Sequence, residues 1–122
     1  MHSESTKNGD ATFIAQVCFT SPAAGGLSCL PFSGMKPAFT CHGIYVSAIV
    51  RLSEAQCCTH DTWLRAAIYV FAADSYPTDV WTPGFEFDLT SGANIIAKGR
   101  IKEVAVRGSG YAGFDDFCKR NL

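Results

Sequence analysis

The stretch FEFDLTSGANIIAKGRIKEV, Phe85 to Val104, reads as two strands joined by a tight turn, and that reading sets the fold class. Phe85, Phe87 and Leu89 alternate with Glu86 and Asp88, the period of two that sends apolar and charged side chains to opposite faces of a half-buried strand. Thr90-Ser91-Gly92-Ala93 supplies hairpin chemistry, and Asn94 to Val106 returns, with a kink expected at Gly99. On the return, Lys98, Arg100 and Lys102 share one face. Glu86 and Asp88 also share a face, and solvation explains that placement without any catalytic role.

The same period holds upstream. Phe13, Ala15, Val17 and Phe19 alternate with Ile14, Gln16, Cys18 and Thr20 until Ser21-Pro22-Ala23-Ala24-Gly25-Gly26 breaks the strand. Leu27 to Pro37 is irregular, with Phe32 as its expected anchor. Ala38 to Cys41 and Ile44 to Leu52 read as strands parted near Gly43, and Ser53 to Thr62 as a polar, Cys-rich loop. Trp63 to Ala72 is rich in β-branched and aromatic residues and favours a buried strand, although its length alone also admits a helix. No other run of ten residues carries a helical period. About six strands with Gly and Pro punctuation predict an all-β fold, a single closed antiparallel β-barrel whose closure hides the strand edges. The organisation expected is a flexible N-terminal lead over 1–10, the barrel over 11–106, and a Gly-rich linker and C-terminal tail over 107–122. One docked turn is expected around Phe114 and Phe117.

Composition narrows the function. The chain has 122 residues, 48% of them hydrophobic, with ten Lys and Arg against eleven Asp and Glu for a net charge of -1. That is one domain with a real core, too apolar for disorder and without the basic excess of a general nucleic-acid binder. The apolar run Ala66 to Ala73 is far shorter than the roughly 20 residues that span a bilayer, so no membrane helix is expected. Met1 to Asp10 lacks an apolar core, so no secretory signal is expected and the setting reads as cytoplasmic. Cysteines stand at 18, 29, 41, 57, 58 and 118 with no CxxC pair. Adjacent Cys41 and His42 would point to opposite faces of a strand, so no metal site is expected. Cys58, His60 and Asp61 lie too close in sequence for a typical nucleophile set. A P-loop, a dinucleotide fingerprint, HExxH and GxSxG are all missing, so no nucleotide, cofactor or enzymatic activity is expected.

Two segments together resemble the C-terminal barrel, domain three, of elongation factor Tu. ATFIAQVCFTSPAAGGLSCLPFSGMKPAF, Ala11 to Phe39, is similar to that domain's opening, where a strand leads into a Gly-Gly turn and then an aromatic–x–Gly–x–basic–Pro–x–Phe run. Here those elements are Gly25-Gly26 and Phe32 to Phe39. Phe85 to Val104 resembles its last hairpin, with Phe87, Leu89, Gly92 and Gly99 in the matching places. The likeness covers roughly 11–106 and is weakest between Gly43 and Thr82. It implies a six-stranded antiparallel barrel in a bacterial, cytoplasmic translation setting, without the GTP hydrolysis that belongs to a separate domain. The family grips aminoacyl-tRNA with basic and polar residues after the Gly-Gly turn. This chain has Leu27, Ser28 and Cys29 there, Ser91, Gly92 and Ala93 at the last hairpin, and only Lys36 keeps its charge. Phosphate affinity scales with the charges neutralised, so tRNA binding is expected to be weak or lost.

The resulting expectation is a non-enzymatic, stand-alone interaction module that binds a protein partner. Its candidate contacts are Gly25, Gly26, Leu27, Ser28, Cys29, Leu30, Lys36, Ser91 and Gly92, with Leu27 and Leu30 as apolar contacts at a loop tip. The alternative is a weak RNA-binding module using Lys98, Arg100 and Lys102, with Lys36, Arg51 and Arg107 as further cations. A third reading places a small molecule in the barrel mouth against Trp63, Tyr76 or Trp81, although barrels of this size are usually filled by their own side chains.

Overall fold

The computed structural model describes residues 9–53, 55–105 and 110–122. Six strands, β1 (Ala11–Phe19), β2 (Ala38–Cys41), β3 (Ile44–Leu52), β4 (Trp63–Val70), β5 (Glu86–Ser91) and β6 (Asn94–Val104), close into a barrel in the order β1-β4-β3-β2-β5-β6. Every pairing is antiparallel, and β1 joins the ends of the ladder by pairing with both β4 and β6. The inward set on β1 is Phe13, Ala15, Val17 and Phe19, all buried in the barrel interior with Phe39, Leu64, Ile68, Phe87 and Leu89. The fold class is therefore the one the alternation predicts.

One end of the barrel is plugged. Between β4 and β5, two single 3-10 turns, Ala73–Ser75 and Thr78–Val80, carry Tyr76, Val80 and Trp81 into the mouth. The Tyr76 hydroxyl is shared between the carbonyls of Phe39 at 2.9 Å and Ile44 at 2.6 Å, which staples the plug to the β2–β3 hairpin. Its ring meets Phe39 edge-on at 5.4 Å and Trp81 at 5.8 Å. Tyr76 and Trp81 are thus filling rather than lining, and Trp63 stands on the outer face, 56% exposed. This corrects the barrel-mouth reading: those three aromatics do not enclose a common cavity.

Two further expectations are corrected. Gly99 makes no kink; it sits in regular register opposite Phe87 and Val17, and the ladder irregularities fall at Ile14/Ala15 and Leu89/Thr90. The segment read as a tail with one docked turn around Phe114 and Phe117 does dock through those two residues, but as a helix of several turns, α1 (Gly110–Asn121). It lies on the outside of the barrel, where Phe114 is buried against Ile14 of β1, Ile49 of β3, and Ala67 and Tyr69 of β4. Of the lead-in, 1–8 lie outside the described residues, as do 107–109 of the linker. Asp10 is structural: its carboxylate accepts from the Tyr69 hydroxyl at 2.7 Å and from the Ala72 amide at 3.1 Å.

Burial sets an alkaline limit on this packing. It pushes the Cys41 and Cys118 thiols up to about 11 and raises the Tyr69 and Tyr76 hydroxyls well above their ordinary range, Asp10 adding to the effect at Tyr69. Each folded pKa exceeds its unfolded value, so the folded chain holds more protons in base. The associated stability is complete below the unfolded values, about 8.5 for Cys and about 10 for Tyr, and is lost as pH rises. The urea midpoint is expected to hold to about pH 8 and then fall steadily beyond about pH 9. A midpoint unchanged at pH 11 would contradict this account.

Candidate functional site

The β1–β2 segment, the β3–β4 loop and the β5–β6 hairpin all emerge at the barrel end opposite the plug, because the strands alternate in direction. The nine partner-contact candidates therefore share one end: Gly25 to Leu30 on the first segment, Lys36 leading into β2, and Ser91 and Gly92 on the hairpin. A backbone bond from the Thr20 amide to the Ile96 carbonyl, 2.9 Å, ties the first segment to the start of β6.

Gly25 and Gly26 build the turn rather than present chemistry. Pro22–Ala24 forms a single 3-10 turn, and Gly25 follows in the left-handed region at φ 82°, which costs glycine nothing. The Ser21 carbonyl accepts from the Gly26 amide at 3.0 Å and the Thr20 carbonyl from the Leu27 amide at 2.9 Å, so the loop folds back on its own strand. A Cβ on Gly26 would overlap the Thr20 carbonyl. Gly26→Ala is accordingly expected to cost about 1–3 kcal/mol through that forced shift, read as a lowered urea midpoint.

Beyond the turn the side chains separate. Leu27 packs half-buried on the core, while Leu30 is 61% and Phe32 54% exposed. Phe32 is not the expected anchor. The segment is held instead by buried Pro31 and Met35, by a bond from the Leu52 amide to Ser33 Oγ at 3.0 Å, and by the Met35–Val50 bridge. His60 of the β3–β4 loop donates from Nε2 to the Cys29 carbonyl at 2.8 Å, bracing one loop on the other. Gln56 gives that loop its own support, its amide exchanging bonds of 2.7 and 3.0 Å with the Arg65 backbone.

The basic stripe is compensated across the ladder. Register sets Lys98 opposite Asp88 and Arg100 opposite Glu86; the ion pairs measure 3.7 and 2.6 Å. Two of the three cations thus meet a carboxylate before any phosphate arrives, which lowers the charge available for nucleic acid. Trp63 lies beside Lys98 and Arg100 in a shallow groove of about 310 Å3 that continues to Asp88 and Thr40. Arg51 is turned away to α1: it pairs with Asp115 at 3.0 Å and stacks over the Phe114 ring at 5.5 Å. Arg107 lies outside the described residues.

Cys29 and Cys57 are exposed, and burial raises the Cys18 and Cys58 thiols. Among the described residues no three His, Cys, Asp or Glu side chains are grouped as metal ligands, and no helix is long and apolar enough to cross a membrane. The residue pattern alone leaves one feature unread, a groove of about 570 Å3 between Ser33, Ser53 and Ala55 on one side and Cys118, Lys119 and Leu122 of the α1 end on the other. The signal for it was the spacing of Phe114, Phe117, Cys118 and Leu122, an i, i+3, i+4, i+8 helical face. No family model matches the chain, and no curated protein matches it.

Proposed function

We propose that this barrel is a non-enzymatic interaction module that engages a protein partner through the barrel end carrying the β1–β2 segment. The observation that carries this reading is the exposure of Leu30 and Phe32, 61% and 54%, on a backbone fastened by Ser33, Met35 and the His60–Cys29 bond. Apolar side chains held on an ordered loop lose little entropy when a partner covers them, and an aromatic anchor of this kind is the usual centre of a contact. A place in translation, and a cytoplasmic one, rests on the resemblance to the elongation factor Tu domain.

The test is capture by the tagged chain from lysate of its source organism, with and without ribonuclease, against a Leu30→Asp/Phe32→Asp variant. The variant is expected to keep its near-UV circular dichroism and to lose a ribonuclease-resistant partner at least tenfold. The second reading, weak RNA binding, draws on Trp63 beside Lys98 and Arg100, a stacking surface next to cations. It predicts ribonuclease-sensitive capture that falls steeply with salt and vanishes when Lys98, Arg100 and Lys102 are changed to Glu.

A further inference from the structure

We propose that the outer sheet face beneath α1 is a binding site for an amphipathic helix of a partner protein, one carrying an aromatic residue followed by an acid, and that α1 occupies this site in cis. The seat is built from residues other than Leu30 and Phe32, and the proposal does not depend on them.

Three features of the barrel wall recognise α1, and each asks for a type of group rather than for this sequence. The first is an apolar seat: Ile14, Ile49, Ala67 and Tyr69 form a buried cluster on the outside of the sheet, separate from the barrel interior, with Phe114 seated in it and Phe117, Cys118 and Leu122 packed against it. The Tyr69 and Phe114 rings meet at 5.3 Å. The second is a cation for the next position, Arg51, paired with Asp115 at 3.0 Å and lying over the aromatic ring. The third is a cation for the last turn, Arg65, whose Nε and Nη2 both donate to the Asn121 carbonyl at 3.3 Å, satisfying an acceptor that a helix end leaves open. Any helix presenting an aromatic residue, an acid one position later and its C-terminal carbonyls two turns on would meet all three. The two cations that meet α1, Arg51 and Arg65, favour an acid at the first position and an open carbonyl at the second.

The resident helix is suited to being displaced. It has 12 residues, with glycine at 110 and 113, too short and too glycine-rich to persist without docking. Among its described side chains only Phe114 is buried, while Phe117, Cys118 and Leu122 are half-covered. Its formation and its seating are therefore one event, and elements of this kind open below the global unfolding free energy.

The experiment uses the full chain and a fluorescein-labelled peptide of residues 110–122 carrying Cys118→Ser, followed by anisotropy. Phe114→Ser in the chain removes the cis anchor. This variant is expected to bind the peptide at least tenfold more tightly than the wild type, because the resident helix competes for the seat. The wild type is still expected to bind saturably, with its own Cys118 alkylated faster as α1 leaves. Arg51→Glu added to Phe114→Ser is expected to weaken binding at least tenfold, and a peptide with Asp115→Lys to restore it. The proposal is overturned if a Phe114→Ser chain with native near-UV circular dichroism binds no peptide. It is equally overturned if millimolar peptide never displaces wild-type α1, or if the charge swap fails to rescue. A wild-type dimer in light scattering that dissociates on adding peptide would make the occupant a second copy and overturn the assignment to a partner protein.

Discussion

Phe39→Ala is expected to destabilise the barrel by about 3–5 kcal/mol, the range for truncating a buried aromatic residue whose site cannot collapse. Domains of this size are stable by about 5–15 kcal/mol in total, so the loss is a large fraction of the whole. Phe39 is wholly buried and lies on β2, which has only four residues to hold its place in the wall. Its ring meets Phe87 at 4.8 Å, Tyr76 and Trp81 at 5.4 Å each, and Phe13 at 6.0 Å. Those neighbours have nowhere to move: Phe13 and Phe87 belong to strands paired on both sides, and the Tyr76 hydroxyl is fastened to the Phe39 carbonyl itself. Urea unfolding reads the loss, and near-UV circular dichroism reads the loosening of Trp81. Phe32→Ala is the matched control. The same atoms are removed from a side chain that is more than half exposed, and stability should change by less than about 0.5 kcal/mol. A loss below about 1.5 kcal/mol at Phe39 would mean that the plug repacks into the void.

The contrast between those two phenylalanines also marks what the sequence could reveal. Alternation located the strands well: β2 and β3 run over Ala38–Cys41 and Ile44–Leu52 as read, because His42 and Gly43, with φ of 52° and 73°, make the two-residue turn that suits a hairpin. Alternation says which side chains point outward, not what lies over them. Ile14, Ile49 and Tyr69 point outward and are nonetheless buried, because α1 covers them. Only one docked turn of this helix was legible, because its apolar face spans little more than two turns and follows a run, Arg107 to Gly113, whose glycines read as linker. The cross-strand carboxylates at Lys98 and Arg100 were equally out of reach, since neutralisation depends on register, and register is a property of the pair rather than of either strand. For the same reason the turn at Gly25-Gly26 could be read locally, whereas the half-burial of Leu27 and the exposure of Leu30 depend on where Thr20 and Met35 place the loop.

Gly99→Ala is expected to cost about 1–3 kcal/mol, and the loss should shrink when Phe87 is changed to Leu in the same chain. Gly99 and Phe87 are direct partners across β5 and β6 and both face the interior. The missing side chain leaves a bare stretch of backbone, and the far end of the Phe87 ring occupies that space, so a Cβ on Gly99 would overlap the ring. An aromatic residue covering a glycine across a ladder is one means by which a sheet offsets the weakness of glycine in a strand. Here the glycine also makes room for the ring that touches Phe13 at 5.6 Å and Phe39 at 4.8 Å, so one absent methyl group sets the positions of three aromatics. Phe87→Leu alone should also destabilise, because the smaller side chain leaves part of the interior unfilled. In the double variant the alanine methyl enters space the ring has vacated, so the combined loss should fall short of the sum by about 1 kcal/mol, within the coupling expected of touching residues. Strict additivity would place the cost of Gly99→Ala in backbone conformation instead. That alternative has little room, because Gly99 is absent from the residues with positive φ and lies in regular extended register.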